Sequence, residues 1–288
     1  MMSGFRRNLS LLAVVVLLLL AAIPATAQQA GTSRLTILLS NDDGYDAPGL
    51  QALIRAFQPV ANVVVAAPAS EQSGKGHSIT TSSQPILAAE RKQPDGSSWW
   101  AIDAPPATCV RLALENLLPR QPDLVISGIN RGENLGVVVY YSGTLGAARE
   151  AAIVGVPAVA VSIQGNKEED YAATAEYTRE LVEQLRSTGM LQPGLFLNVN
   201  APAGERKGVR VTRLSVKPTH EGYERRSSPS GRPYFWSRWR PVEDDEEGTD
   251  VWAFVRGYIT VTPMVIDVTA SQRLDSLRQF ERAGPSRK

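Results

Sequence analysis

The sequence is poor in the two residue types on which many catalytic and metal sites depend. Its 288 residues include one cysteine, Cys109, and two histidines, His77 and His220. A single cysteine excludes an intramolecular disulfide and a zinc site built on cysteines. His77 lies in the loop that contains Ser73 and His220 in the C-terminal segment, and no serine–histidine–acid triad can be assembled around either. We therefore interpret both as structural or surface residues.

The sequence also lacks an excess of charge of either sign and a dinucleotide-binding motif. The net charge of +1 gives no basic field for a nucleic-acid polymer, so that class of partner is excluded. The first predicted strand is not followed by G-x-G-x-x-G. Residues 40–44 read Ser-Asn-Asp-Asp-Gly, which puts two carboxylates where a pyrophosphate would bind. A redox enzyme on a Rossmann core is disfavoured.

The N-terminus has the layout of a secretory signal. Arg6 and Arg7 precede an apolar run at residues 11–23, and small residues follow at positions 25–27. We predict a signal peptide at residues 1–27 and an exported, periplasmic protein. Export through the Sec route is expected, and the arginine pair also resembles a twin-arginine signal. The alternative is an uncleaved anchor, but the run is short for a membrane span, so no stable membrane insertion is expected after cleavage.

Strands and helices alternate from residue 35 onward. Five apolar runs of strand length lie at residues 35–39, 63–67, 123–127, 158–163 and 195–200. Helical spacing separates them; residues 48–57, for example, carry apolar side chains at i, i+3, i+4 and i+7. This pattern predicts an α/β fold, a three-layer Rossmann-like sandwich with a mainly parallel sheet, over residues 34–205.

The remaining residues, 206–288, have a different pattern. They contain a predicted strand at 209–214, an aromatic-rich segment at 222–240, a second predicted strand at 252–261 and a final predicted helix at 271–283. We interpret them as a β-rich arm with a C-terminal helix that serves as an oligomer contact or a substrate lid. Ordinary packing of the aromatic side chains is an equally supported alternative.

Oxygen-bearing side chains follow three of the predicted strands. Asp42 and Asp43 come directly after the first strand, Ser73 follows the second, and Asn130 and Asn134 follow the third. The carboxyl ends of parallel strands meet at one edge of a sheet, where ligands bind. Carboxylate, hydroxyl and amide oxygens suit a hard divalent ion such as Mg²⁺ or Mn²⁺. The alternative for Asp42 and Asp43 is a solvated turn.

A predicted helix start lies beside these loops. Ser142, Gly143 and Thr144 open the helix at residues 142–153. Free backbone N–H groups and the helix dipole at such a position favour an anion. A plain N-cap by Ser142 or Thr144 is the alternative. Next to a candidate divalent ion, the anion is expected to be a phosphate.

Four segments together resemble the SurE family of survival proteins, which are metal-dependent 5'/3'-nucleotidases. They are residues 37–44, residues 127–136, residues 141–144 and residues 257–263. The resemblance implies a Rossmann-like core, a C-terminal arm used in dimers and tetramers, and one divalent ion. The implied metal ligands are Asp42, Asp43, Ser73 and Asn130; the implied phosphate contacts are Ser142, Gly143 and Thr144, to which we add Asn134.

The chain departs from the family pattern at two places outside the implied metal set. Residues 137–139 are valines where acidic residues are common, and Thr108 stands where aspartate is common. Both departures bear on substrate preference, and an export signal is unusual for the family. We expect an exported phosphomonoesterase that acts on nucleoside monophosphates, with Asp43 orienting the attacking water. The alternatives are a non-catalytic nucleotide- or metal-binding protein, or a phosphatase for other phosphomonoesters or polyphosphate.

Overall fold

The computed structural model describes residues 34–218, 222–238 and 243–282. The predicted signal peptide at residues 1–27 and His220 lie outside the described residues. From Leu35 onward the chain groups into one compact unit. Within the described ranges, no helix has the length and apolar character that crossing a membrane requires.

Nine strands of the described residues form one sheet. In chain order they are β1 Thr36–Ser40, β2 Asn62–Pro68, β3 Ala88–Lys92, β4 Ser98–Ile102, β5 Leu124–Arg131, β6 Ala158–Ile163, β7 Phe196–Ala201, β8 Val209–Val211 and, after a separate hairpin, β11 Ile259–Pro263. Their order across the sheet is β3-β4-β2-β1-β5-β6-β7-β11-β8. The six strands from β4 to β7 are parallel, as predicted, and antiparallel pairs occur at β3 and between β7 and β11.

Helices cover both faces of this sheet. They are α1 Pro48–Phe57, α2 Pro106–Leu112 with a π-helical extension Ala113–Leu117, α3 Gly143–Ile153 and α4 Glu168–Ser187. The side chains of β1 alternate between two cores: Ile37 and Leu39 pack in the cluster that contains α1 and α4 residues, and Leu38 packs with residues of α2 and α3. This alternation of side chains across a strand produces the predicted three layers.

The segment after residue 206 is divided between the main sheet and a hairpin. Strands β8 and β11 belong to the nine-stranded sheet, whereas β9 Gly222–Ser227 and β10 Pro233–Arg238 pair only with each other. The β-rich arm therefore consists of this two-stranded hairpin, and the strands on either side of it extend the core. The predicted boundary at residues 205/206 does not coincide with a boundary in the sheet.

Two predictions for this segment were wrong. The predicted strand at 252–261 begins as a helix, α5 Asp250–Val255, because Thr249 caps it by accepting a hydrogen bond from the Trp252 N–H; only β11 is extended. The predicted C-terminal helix is three short helical segments, Ser271–Arg273, α6 Leu274–Leu277 and Arg278–Phe280. None of the three buries a residue, so no packed face stabilises one long helix.

Candidate active site

The first strand of the sheet delivers two adjacent carboxylates to its carboxyl edge. Strand β1 ends at Ser40, and the Asn41 side chain then closes a turn by donating from Nδ2 to the Gly44 carbonyl oxygen at 2.8 Å. Asp42 is 3% exposed and Asp43 is half-buried. The pair therefore sits in a fixed turn rather than in the solvated one that the sequence left open.

The start of helix α3 holds Asp42. The Thr144 hydroxyl donates to Asp42 Oδ1 at 2.6 Å, and the Thr144 backbone N–H also hydrogen-bonds to this carboxylate. Gly143 lies so close that a Cβ there would be 2.8 Å from both Cβ and Oδ2 of Asp42. Thr144 itself is fully buried. The hydroxyl and the N–H of Thr144 thus orient Asp42. This role differs from the phosphate contact that was expected for Thr144.

Burial destabilises the ionised form of both carboxylates. The pKa of Asp42 is raised from 3.8 to about 6, because burial and, to a smaller extent, the neighbouring charge of Asp43 outweigh the lowering effect of the Thr144 hydrogen bonds. Burial also raises the pKa of Asp43, although the Arg131 N–H opposes the shift. A cation between the two carboxylates would remove this repulsion and favour the charged pair.

The loop that carries Ser73 packs on helix α3. The Gly76 N–H donates to the Tyr141 carbonyl oxygen at 2.9 Å. A Cβ on Gly146 would lie 2.2 Å from the Gly76 carbonyl oxygen. The loop is thus in backbone-to-backbone contact with the helix that holds Asp42, and this contact fixes Ser73 relative to the carboxylates.

A buried ion-pair cluster strengthens the same attachment. His77 Nε2 lies 2.7 Å from Glu150 Oε2, and Arg111 Nε donates to Glu150 Oε1 at 2.6 Å. Burial alone would raise the pKa of Glu150, but the hydrogen bonds from His77 and Arg111 outweigh burial and lower it. His77 therefore has a structural role, as predicted. Its partner Glu150 lies 73 residues away, and no local pattern marks the pair.

Strand β5 and the loop that follows it supply the two asparagines, Asn130 and Asn134. Its pairing with β6 shifts register between Ser127 and Asn130, which turns the chain at the sheet edge. Asn130 is largely buried, and its Nδ2 donates to the Gly132 carbonyl oxygen at 2.7 Å. This bond engages the amide nitrogen and leaves the amide oxygen as the end available for a cation.

Asn134 is held by a buried network that the sequence interpretation missed. Its backbone N–H donates to Asn200 Oδ1 at 2.7 Å, its carbonyl oxygen accepts from Asn198 at 2.8 Å, and its side chain donates to Ser162 at 2.8 Å. Asn198 and Asn200 alternate with apolar residues in β7, every residue of which is buried. Asparagines in a buried strand are the signal that identifies such a network.

Most of the sequence-predicted residues meet in one cleft of about 400 Å³. Its walls include Asp42, Ser73, Asn130, Asn134 and Ser142. Asp43 lines an adjoining cleft of about 350 Å³ instead, and Arg131 lines both. The Arg131 N–H donates to Asp43 Oδ2 at 2.9 Å, which fixes that carboxylate at the boundary between the two clefts.

Ser142 faces the cleft as the N-cap of α3. Its Oγ accepts from the Leu145 N–H at 3.1 Å, which is the plain capping contact that the sequence allowed. Because the Oγ atom acts there as an acceptor, its O–H remains a donor for an anion in the cleft. Capping and anion binding are therefore compatible.

The donor atoms fit a hard divalent ion. Within the described residues, no three of His, Cys, Asp and Glu lie grouped as metal ligands. A cation here would therefore need the oxygens of Ser73 and Asn130 in addition to the two carboxylates. An all-oxygen set with two charges is the preference of Mg²⁺ and Mn²⁺, and a cation there would offset the burial that raises the pKa of Asp42.

The fold is that of an α/β protein whose sheet edge carries a candidate site for a hard divalent ion beside a candidate anion-binding helix start. The chain belongs to the SurE family: the family model "Survival protein SurE" matches residues 37–221. This confirms the resemblance that the motifs carried. Members of this family are metal-dependent in general.

Relatives named 5'-nucleotidases match more than four fifths of the chain. "5'-nucleotidase SurE" of Desulforudis audaxviator is 42% identical over 249 residues, which are 85% of this chain and 96% of that protein. "5'-nucleotidase SurE 1" of Thermus thermophilus is 42% identical over 84% of this chain and 96% of its own length. The crystal structure of the SurE protein from Aquifex aeolicus has a TM-score of 0.73 and 37% identity, and the match covers 86% of this chain and 100% of that one.

Proposed function

We propose that the protein is a divalent-metal-dependent nucleotidase that hydrolyses the phosphomonoester of nucleoside 5'-monophosphates, with 3'-monophosphates as a second substrate class. One observation carries the proposal: in a member of the SurE family, Asp42, Ser73, Asn130 and Ser142 line a single cleft. Relatives about 40% identical over most of the chain are named 5'-nucleotidases. The oxygen ligands and the helix start of the site support the same enzyme class.

The metal ligands in this proposal are Asp42, Asp43, Ser73 and Asn130, holding one Mg²⁺ or Mn²⁺ per subunit. When bound, such an ion polarises a phosphoryl group and lowers the pKa of water. Mn²⁺ titration of the metal-free protein by calorimetry is expected to give one site per subunit. A stoichiometry of two would contradict the single-ion assignment.

The residues around the ion orient the attacking water, bind the phosphate and position a metal ligand. Asp43, held by the Arg131 N–H, orients the attacking water and accepts its proton. The Ser142 O–H and the Gly143 N–H at the start of α3 bind the phosphate oxygens. Asn134 borders the phosphate position and is kept there by Asn198 and Asn200. Thr144 orients Asp42.

The test is phosphate release from a panel of substrates with Mg²⁺ or Mn²⁺, and again with a chelator. The panel holds nucleoside 5'- and 3'-monophosphates, simple phosphomonoesters and polyphosphate. Release from nucleoside monophosphates that stops with chelator is the expected result. No release from any phosphomonoester would falsify the enzymatic proposal and favour a non-catalytic nucleotide- or metal-binding protein.

The cellular location is part of the proposal. The basic, apolar and small-residue regions of residues 1–27 support cleavage after Ala27 and export to the periplasm. Sequencing the N-terminus of the mature protein tests this. A mature chain that begins at Met1 would contradict cleavage.

A further inference from the structure

The cleft that holds the candidate metal and phosphate positions also has an aromatic wall. Tyr141 lines it directly before the anion-binding residue Ser142. Tyr141 is 58% exposed, like the preceding Tyr140 at 60%, whereas Val139 and Ser142 on either side of the pair are buried. Of the two exposed tyrosines, Tyr141 is the one that lines the cleft, which makes it a candidate contact for a flat apolar group.

The backbone that carries this ring is fixed. The Tyr141 N–H donates to the Val138 carbonyl oxygen at 2.9 Å, and the Tyr141 carbonyl oxygen accepts from the Gly76 N–H at 2.9 Å. Val138, which is buried, lines the same cleft. The backbone of Tyr141 is thus held in an ordered turn, so stacking would need to order only the side-chain torsions of the ring.

The order of residues along the cleft suits a nucleotide. Tyr141 and the proposed phosphate contact Ser142 are consecutive in the chain, and both line the same cleft. A ribose separates phosphate and base in a nucleoside monophosphate. The polar walls formed by Asn130, Arg131 and Glu133 suit the ribose hydroxyls, whereas a neutral aromatic base requires an aromatic or apolar surface.

We infer that Tyr141 is the stacking surface for the nucleobase of the substrate and is a specificity-determining residue for the proposed reaction. The inference rests on the proposed function. Every base has a π-face, so stacking accepts purines and pyrimidines alike and rejects a substrate that has no base. Base stacking on Tyr141 thereby favours nucleotides as a class over sugar phosphates.

The experiment compares kcat/KM for AMP and for ribose 5-phosphate, which carries the same phosphate and sugar without the base. In the wild type, AMP is expected to be the better substrate. Tyr141→Ala is expected to lower the ratio of the two values by about tenfold, since a tenfold change corresponds to about 1.4 kcal/mol of lost stacking. The loss should lie mainly in KM for AMP, because stacking binds ground state and transition state alike.

The adjacent Tyr140 provides a matched control. It is 60% exposed, yet it is not among the cleft-lining residues in the part of the chain that the structure describes. Tyr140→Ala is therefore expected to keep the wild-type ratio, and Tyr141→Phe should keep it because the ring remains. If Tyr141→Ala does not fold, Tyr141→Leu gives the same test, since it keeps a large apolar side chain without a π-face.

The outcomes separate the inference from the proposed function. No phosphate release by the wild type from either substrate overturns both. Release by the wild type, with an equal loss on AMP and ribose 5-phosphate in Tyr141→Ala or with no loss, overturns the stacking role alone. A selective loss in Tyr140→Ala equal to that in Tyr141→Ala also overturns it.

Discussion

The sheet edge that carries the candidate site and the hairpin β9–β10 both contain charged residues and glycines, but in opposite environments. At the sheet edge, Asp42 is 3% exposed, and a Cβ on Gly146 would overlap a backbone oxygen. On the hairpin, Glu224 is only partly buried, and a Cβ on Gly222 would meet nothing within 4 Å. Residue type alone does not indicate how strongly a position is constrained; the surrounding packing does.

The carboxylates show the same contrast in their electrostatics. Burial raises the pKa of Asp42 to about 6. Hydrogen bonds from Arg226, which has the larger effect, and from Arg238 lower the pKa of Glu224 to about 2. The hairpin carboxylate has its counter-charges within the chain, whereas the site carboxylate favours a cation from outside. A charge without an internal partner is therefore the physical mark of the site.

Neutralising one carboxylate in each region tests this contrast and gives the largest expected effect. Asp43→Asn should lower kcat about 1,000-fold, because it removes the group that orients and deprotonates water. Glu224→Gln, the matched substitution on the hairpin, should leave kcat at the wild-type value because exposed ion pairs contribute little. Both are measured by phosphate release at saturating metal, with circular dichroism to verify folding.

The Asp43 assignment has a clear contrary result. Full activity of a folded Asp43→Asn variant would remove Asp43 from the mechanism. An equal loss of activity in Glu224→Gln would show that the two regions are coupled, and the contrast between them would then be wrong.

Adding a methyl group in each region tests the packing contrast. In a helix, Gly→Ala normally stabilises. Gly146→Ala should instead lower the free energy of unfolding by about 3 kcal/mol, because its Cβ would lie 2.2 Å from the Gly76 carbonyl oxygen. Gly222→Ala on the hairpin has open space and should change stability by less than about 0.5 kcal/mol. Urea unfolding measures both, and equal stability of the two variants would contradict the backbone contact at Gly146.

Much of this site could be predicted from the sequence because it depends on local order along parallel strands. An apolar strand followed by Asp42 and Asp43, and later strands followed by Ser73 and Asn130, must converge at one edge of the sheet. That argument needs no knowledge of distant contacts. The fold class was predictable for the same reason, since alternating strands and helices leave few topologies.

Long-range contacts could not be predicted from the sequence. The hydrogen bond from Thr144 to Asp42 joins residues 102 positions apart, and it gives Thr144 a different role from the expected phosphate contact. The helix α5 was mistaken for a strand because its apolar residues match either period over so short a length. Only the Thr249 cap, seen in three dimensions, decides between the two.

The electrostatic cost at Asp42 predicts a pH-dependent effect on stability. A folded-state pKa of about 6 lies above the ordinary value of 3.8. Ionised Asp42 therefore destabilises the metal-free fold above about pH 6, and this penalty declines as the pH falls towards 4. Asp42→Asn should stabilise the metal-free protein by about 2 kcal/mol at pH 7, because the substitution removes the cost of keeping a buried carboxylate ionised.

The measurement is urea unfolding of wild type and Asp42→Asn in chelator at pH 7 and pH 5. The gain from the substitution should be about half as large at pH 5, because the folded wild type then takes up the proton. Asp42→Asn should also weaken Mn²⁺ binding in calorimetry. A variant that is less stable than the wild type at pH 7 would show that Asp42 is not under electrostatic strain.

A substitution on the hairpin should have the smallest effect on the fold, and it tests whether the hairpin contributes to a homodimer or homotetramer. Phe235 and Trp236 are more than half exposed on a two-stranded sheet of its own. Large aromatic side chains of this kind are enriched at protein–protein interfaces. Trp236→Ser should therefore shift sedimentation velocity profiles towards smaller species while urea unfolding of the core stays unchanged. An unchanged oligomer would favour ordinary surface packing of these aromatics, and a destabilised core would show that the hairpin is part of the same cooperative unit as the active-site edge.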